Sequence, residues 1–314
     1  MTAAPADTAE HARLTSRAAA FSVAIAAILM VLKAWSWFDS SSVAMLSSLA
    51  DSTLDLVASL FTFFAVRYAA TPPDREHRYG HGKAEAFAGL IQAGLVAVSG
   101  ALIALEAGRR FFEPITIPEA SGFSSIGVMV ISMALTTVLV AAQTSAIART
   151  HSVATRADRM HYVGDVVANL VVIGGIAAGA FFKMPWADAL AAIFVAVWLG
   201  WGAMKVAQES ADHLLDRELP DADRARIQAL AESDTRIAAV HDLRTRTSGP
   251  YVHIQFHADL DPNLSLEATH EIVVAAEDRI RAAFPTADII VHPDPKGVAP
   301  PHGHEDFEPR AKGA

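Results

Sequence analysis

The sequence predicts an α-helical membrane protein: a bundle of six transmembrane helices followed by a small α+β unit of order αββαβ. Three observations carry this. Hydrophobic residues make up 52% of the 314-residue chain and its mean hydropathy is +0.30, more apolar than a soluble domain usually is. About six runs are near the 20 residues that cross a bilayer. After Ser210 the apolar runs stop, and amphipathic periods of 3.6 and 2 replace them.

The spans fall at Ala18–Trp37, Ser42–Tyr68, Ala84–Phe112, Ser124–Ile147, Asp158–Phe182 and Ala187–Val206. Residues 1–17 form a polar tail with no small-residue cleavage site after the first apolar run, so that run is expected to stay in the mature protein. Arg13 and Arg17 precede the first span, Arg67, Arg75, Arg78 and Lys83 lie between the second and third, and Arg149, Arg156 and Arg159 lie at the fourth-to-fifth junction. The positive-inside rule places these ends, and both termini, in the cytoplasm; Arg109 and Arg110 run against the pattern.

The second unit is expected over residues 211–297. Pro220 and Asp221 open an amphipathic helix to Glu232. Two strands then meet at Ser-Gly-Pro, with Val252, Ile254, Phe256 and Ala258 alternating against His253, Gln255, His257 and Asp259. Ser265–Phe284 reads as a second helix and ADIIVHPD as a third strand. A unit of about 80 residues has little core of its own, so a second copy of the chain would help bury its faces. From Asp212 onward the chain has 19 acidic against 11 basic residues, which excludes a nucleic-acid surface and suits contact with cations. Residues 298–314 carry His302, His304, Glu305 and Asp306 and read as a disordered, cation-attracting tail.

Ionisable groups stand where they are costly. Asp51 and Asp55 in the second span, and His161 and Asp165 in the fifth, are each spaced i, i+4 on one helix face. An ionised group at the bilayer centre costs at least about 2.5–3.5 kcal/mol, so four of them require partners, an ion or protons. The chain has no cysteine, which excludes disulfides and thiolate metal sites and leaves nitrogen and oxygen donors. Three carboxylates and one imidazole suit a tetrahedral divalent ion of the zinc type, with iron, manganese and cadmium as competitors. The competing reading is interhelical hydrogen bonding among Ser47, Ser48, Ser52 and Thr53, but three acids call for a cation.

Two further clusters follow. Asp74, His77, His81 and Glu85 recur at spacings of three or four across one loop, as a metal site or as a solvated turn. In the second unit His241, His257, His270 and His292 fall in or beside regular elements, and Asp294 shares a strand face with His292.

These residues carry a resemblance. LADSTLD, PPDREHRYGHGKAE, MHYVGD, LLDRELPD, HDLRTRTSGP and IIVHPD, spread over nearly the whole chain, are similar to the motifs of the cation diffusion facilitator family, in its bacterial zinc and ferrous-iron efflux branch. The resemblance implies a homodimer in the bacterial inner membrane, with a ferredoxin-like cytoplasmic domain, exchanging divalent metal (Zn2+, or Fe2+, Cd2+, Mn2+) for protons. It implies a transport site of Asp51, Asp55, His161 and Asp165, a loop site of Asp74, His77 and His81, and a cytoplasmic dinuclear site of His241, His257, His270, His292 and Asp294. A charge interlock at the dimer junction would map to Lys83 and Asp216. Pro293 departs from the pattern, since relatives can carry a polar side chain between the last two ligands.

Protons and metal compete for the same lone pairs, and His161 is the expected proton carrier because imidazole titrates near neutrality. Alternating access by rocking of helices would expose the site to one side at a time. A membrane metalloenzyme is disfavoured, since no H-E-x-x-H motif occurs. A membrane-anchored sensor or scaffold without transport is the alternative, but it gives no reason for ionisable groups inside the bilayer.

Overall fold

A computed structural model describes residues 5–40, 43–112, 123–182 and 187–297. It divides into two compact units, one over Glu10–Leu214 and a second that begins at Leu215. The acidic tail and its histidines lie outside the described residues.

The first unit consists of six helices: α1 Pro5–Ser40, α2 Val43–Ala69, α3 Lys83–Phe112, α4 Phe123–Thr150, α5 Val153–Phe182 and α6 Ala187–Leu214. Among the described residues five are long and apolar enough to cross a membrane: Ala9–Asp39, Ser48–Ala69, Lys83–Arg109, Gly127–Thr150 and Leu190–Leu214. The helix that misses this test is α5, whose first half carries Arg156, Asp158, Arg159, His161 and Asp165. Helix α1 starts well before Ala18, because the polar residues before it favour helix and continue its backbone hydrogen bonding.

Small residues set the helix spacing. A Cβ on Gly100 of α3 would come 3.3 Å from the Ala196 carbonyl oxygen of α6, and one on Gly164 of α5 would come 2.6 Å from Leu199 Cδ2. Close approach gains dispersion where lipid offers no hydrophobic drive. Val96, Val195, Leu199 and Ala203 pack at this contact, while Phe64, Val98, Leu102 and Phe194 face outward, as lipid contact requires.

The second unit contains α7 Asp221–Glu232, β1 Ala239–Ser248, β2 Tyr251–Leu260, α8 Leu266–Ala283 and β3 Ala287–Pro295. The sheet order is β1-β2-β3, with β1 antiparallel and β3 parallel to the central strand. Two-residue periodicity sends Ile254, Phe256, Ala258 and Leu260 to one face, where Ile227 and Ala231 of α7 and Ile272, Ala276 and Ile280 of α8 complete the core. Ser265 caps α8 by accepting from the Ala268 N–H at 3.2 Å. Gly249, at φ +58°, supplies the left-handed residue of the hairpin turn.

A one-residue register shift lies between His241 and Arg244, with Asp242 at φ +51°. The extra residue brings His241 onto the same sheet face as Arg244 and Arg246, opposite the core. The segment before α7 is tied to β1 by Glu218, which accepts from the Thr245 hydroxyl, and by Thr245 Oγ1, which accepts from the Leu219 N–H at 3.0 Å.

Candidate metal sites

In the helical unit, Asp55 of α2 meets His161 and Asp165 of α5, with one potential ligand atom from each within 4.8 Å of the others. His161 Nε2 is 2.8 Å from Asp55 Oδ1 and 3.9 Å from Asp165 Oδ2. Asp51 lies one turn earlier on α2; its side chain is exposed and outside this trio. Three of the four expected residues are therefore together and the fourth is adjacent. Two carboxylates and an imidazole form a mixed oxygen and nitrogen set fit for a divalent ion.

The surroundings include residues that sequence reading did not single out. Tyr162, beside His161, shares a 2.7 Å hydrogen bond with Ser59 and so ties α5 to α2. Asp158, one turn before His161, is 1% exposed. It accepts from Gln92 Nε2 of α3 at 3.0 Å and from Gln143 Nε2 of α4 at 2.8 Å; Gln143 also donates to Ser22 of α1 at 3.0 Å. This buried network joins four helices beside the trio. The spacing of residues 158, 161 and 165 along one helix face was the available signal. Lys33 of α1 donates to Ser52 Oγ at 2.6 Å and to the Ser48 carbonyl at 3.3 Å.

The loop residues also converge. Asp74 Oδ1 accepts from the backbone N–H of His77 at 2.6 Å and of Glu76 at 2.9 Å, and these bonds hold the Asp74 carboxyl below its usual range. His77 Nδ1 lies 3.4 Å from Asp74 Oδ1, and His81 Nε2 3.4 Å from Asp74 Oδ2. His81 Nδ1 faces the Thr71 carbonyl at 3.3 Å, so the tautomer that donates there leaves the Nε2 lone pair toward Asp74. Glu85 stays apart: it is buried and accepts from Ser152 Oγ at 2.7 Å, next to the start of α5.

In the second unit three histidines form one row across the sheet, His241 opposite His257 and His257 opposite His292. Asp294 sits among them at 3% exposure. His257 Nδ1 is 2.8 Å from its Oδ2, His241 Nε2 is 3.5 Å from Oδ2, and His292 Nε2 is 3.3 Å from Oδ1. His241, His257 and Asp294 meet the same 4.8 Å criterion. His270 is exposed on α8, whose buried residues pack on the opposite sheet face, and it does not join the row. Lys83 and Asp216 belong to different units: Lys83 donates to the Leu214 carbonyl at 3.3 Å, and Asp216 accepts from Arg246 at 3.3 Å.

The cation efflux transmembrane domain matches residues 19–215, and the cytoplasmic domain of cation efflux proteins matches residues 219–296. The cation-efflux pump FieF of Shewanella oneidensis is 41% identical over 288 residues, which cover 92% of this chain and 95% of that pump. FieF of Salmonella schwarzengrund is 37% identical over 93% of this chain and 97% of its own. A solved structure of CzrB in its zinc form is 30% identical, covering 27% of this chain and 98% of that one, with a TM-score of 0.26. A transmembrane model that spans more than half of the chain, together with a pump so similar along nearly its entire length, shows that the chain belongs to the cation diffusion facilitator family of cation-efflux transporters.

Proposed function

We propose that the protein exports a divalent cation of the zinc class, Zn2+ first with Fe2+, Cd2+ and Mn2+ as competitors, in exchange for protons. The observation that supports this best is the trio Asp55, His161 and Asp165, drawn from two helices of the membrane-type unit. Asp51 completes a four-ligand shell by turning inward when the ion arrives. Its position one helical turn from Asp55 makes that a side-chain movement and not a refolding.

Protons from outside displace the ion, because imidazole and carboxylates coordinate only when deprotonated. His161 carries the main coupling proton, since an imidazole changes charge within the physiological range. Helices α2 and α5, tied by Tyr162 and Ser59, move together to expose the site to one side at a time. Both termini face the cytoplasm of a bacterial cell whose inner membrane holds the six helices. The loop cluster of Asp74, His77 and His81 is a second ion site. The row of His241, His257 and His292 with Asp294 holds two regulatory ions, and His270 contributes from outside that row. Two copies pair through the cytoplasmic domain, with Lys83 and Asp216 as the interlock at the junction.

Everted membrane vesicles test the proposal. The parent protein should accumulate zinc when the metal is added outside, and Asp165→Ala should not. Equal accumulation by both would remove the proposed transport site, and accumulation by neither would favour a sensor role.

A further inference from the structure

We infer that Asp259 is a further ligand in the cytoplasmic domain, which gives one of its two regulatory ions two imidazoles and two carboxylates: His241, His257, Asp259 and Asp294. The inference rests on the proposal that this row holds metal, and it concerns a residue outside every motif cited above.

The register brings Asp259 to the ion. Asp259 pairs with Asp294 across the parallel strands β2 and β3, two residues beyond the pair His257 and His292, and so on the same sheet face. Two carboxylates directly opposite each other repel, and a sheet pairs them only when something positive lies between. His241 Nε2 occupies that position, 3.4 Å from Asp259 Oδ1 and 3.5 Å from Asp294 Oδ2. Both separations exceed those of a good N–H···O hydrogen bond. They equal the edge of a tetrahedron, about 3.4 Å, built on metal–ligand bonds of about 2.1 Å.

Asp259 Oδ1 is itself buried and has no hydrogen-bond partner. An orphaned carboxylate oxygen costs free energy that a bound cation would recover. Charge gives the same answer. With Asp294 alone, a divalent ion among neutral imidazoles leaves one uncompensated positive charge; with Asp259 the site is neutral, which suits a position where Asp294 is 3% exposed.

Thermal unfolding and Zn2+ titration of the full-length protein in detergent test this with Asp259→Asn, and Asp294→Asn serves as the control. In EDTA, Asp259→Asn should unfold at or above the parent's midpoint, because the carboxylate repulsion is gone. With saturating zinc its midpoint should rise by less than half of the parent's rise, and its affinity for the cytoplasmic ion should fall by at least about tenfold. Asp294→Asn should lose the cytoplasmic share of both signals. An Asp259→Asn midpoint below the parent's in EDTA would overturn the inference, since it would make Asp259 a structural partner of His241; unchanged zinc affinity would overturn it as well. If Asp294→Asn also leaves the zinc signals unchanged, the reading of the row as a metal site fails instead.

Discussion

His161 Nε2 of α5 lies 2.8 Å from Asp55 Oδ1 of α2, so the two helices that carry the proposed transport residues are joined by the very atoms a metal would take. In the exchange proposed above, an ion bound here would replace this contact, and its release would restore the contact with a proton in the ion's place. Metal and proton would then be alternative occupants of one bridge.

Asp51 separates a ligand role from a structural one. Its side chain is exposed and outside the trio, so Asp51→Ala should change stability by no more than about 0.5 kcal/mol. Zinc flux should nevertheless be abolished. Unfolding midpoints and flux measured on the same preparation check this, and retained flux would leave Asp51 out of the shell.

Asp158 should behave in the opposite way. Asp158→Ala leaves the buried amides of Gln92 and Gln143 without their acceptor, at about 1–3 kcal/mol for each. Its unfolding midpoint should fall well below that of Asp51→Ala. Asp158→Asn should recover part of the loss, because its carbonyl can still accept from one amide.

The cytoplasmic domain should weaken in acid through His253, which stands outside the metal row. Burial holds this imidazole below its ordinary range, against the opposing pull of Asp288. A depressed value means that the unfolded chain takes up the proton more readily than the folded one. The contribution is therefore complete above the ordinary histidine pKa of about 6.5 and is lost as pH falls through the lower folded value. Unfolding followed in EDTA from pH 7.5 downward should show this slope, and His253→Gln should flatten it. An unchanged slope would assign the acid sensitivity elsewhere.

The histidines of the cytoplasmic domain should not contribute equally. His257 lies 2.8 Å from Asp294, whereas His270 is exposed on a helix that packs on the other sheet face. His257→Ala should lower zinc stoichiometry in calorimetry, and His270→Ala should cost less affinity. Replacing His257 and His292 together should weaken flux without abolishing it, as the proposed regulatory role of this domain requires.

Much of this architecture was legible in the sequence because it rests on local periodicity. The alternation of Val252, Ile254, Phe256 and Ala258 with His253, Gln255, His257 and Asp259 specified the two faces of β2, and the i, i+4 pairs specified the helix faces of the transport residues. What escaped depends on pairing between distant segments. Gln143 finds Ser22 across 121 residues, and no spacing rule joins them. The partners of Asp158 and Lys33 likewise lie on other helices, out of reach of any spacing rule. Glu85 fitted the loop spacing, yet the packing of α3 directs it to Ser152. The bulge at Asp242 gave no clear sequence signal, although it decides which face His241 takes.

The most direct test of the account is zinc flux in proteoliposomes under an imposed proton gradient, compared between the parent protein and Asp55→Ala. The account predicts that metal movement by the parent accelerates when protons flow in the opposite direction, slows when the metal-loading side is acidified toward the imidazole range, and disappears in Asp55→Ala. Zinc flux indifferent to the gradient would contradict proton exchange, and undiminished flux in Asp55→Ala would contradict the site itself.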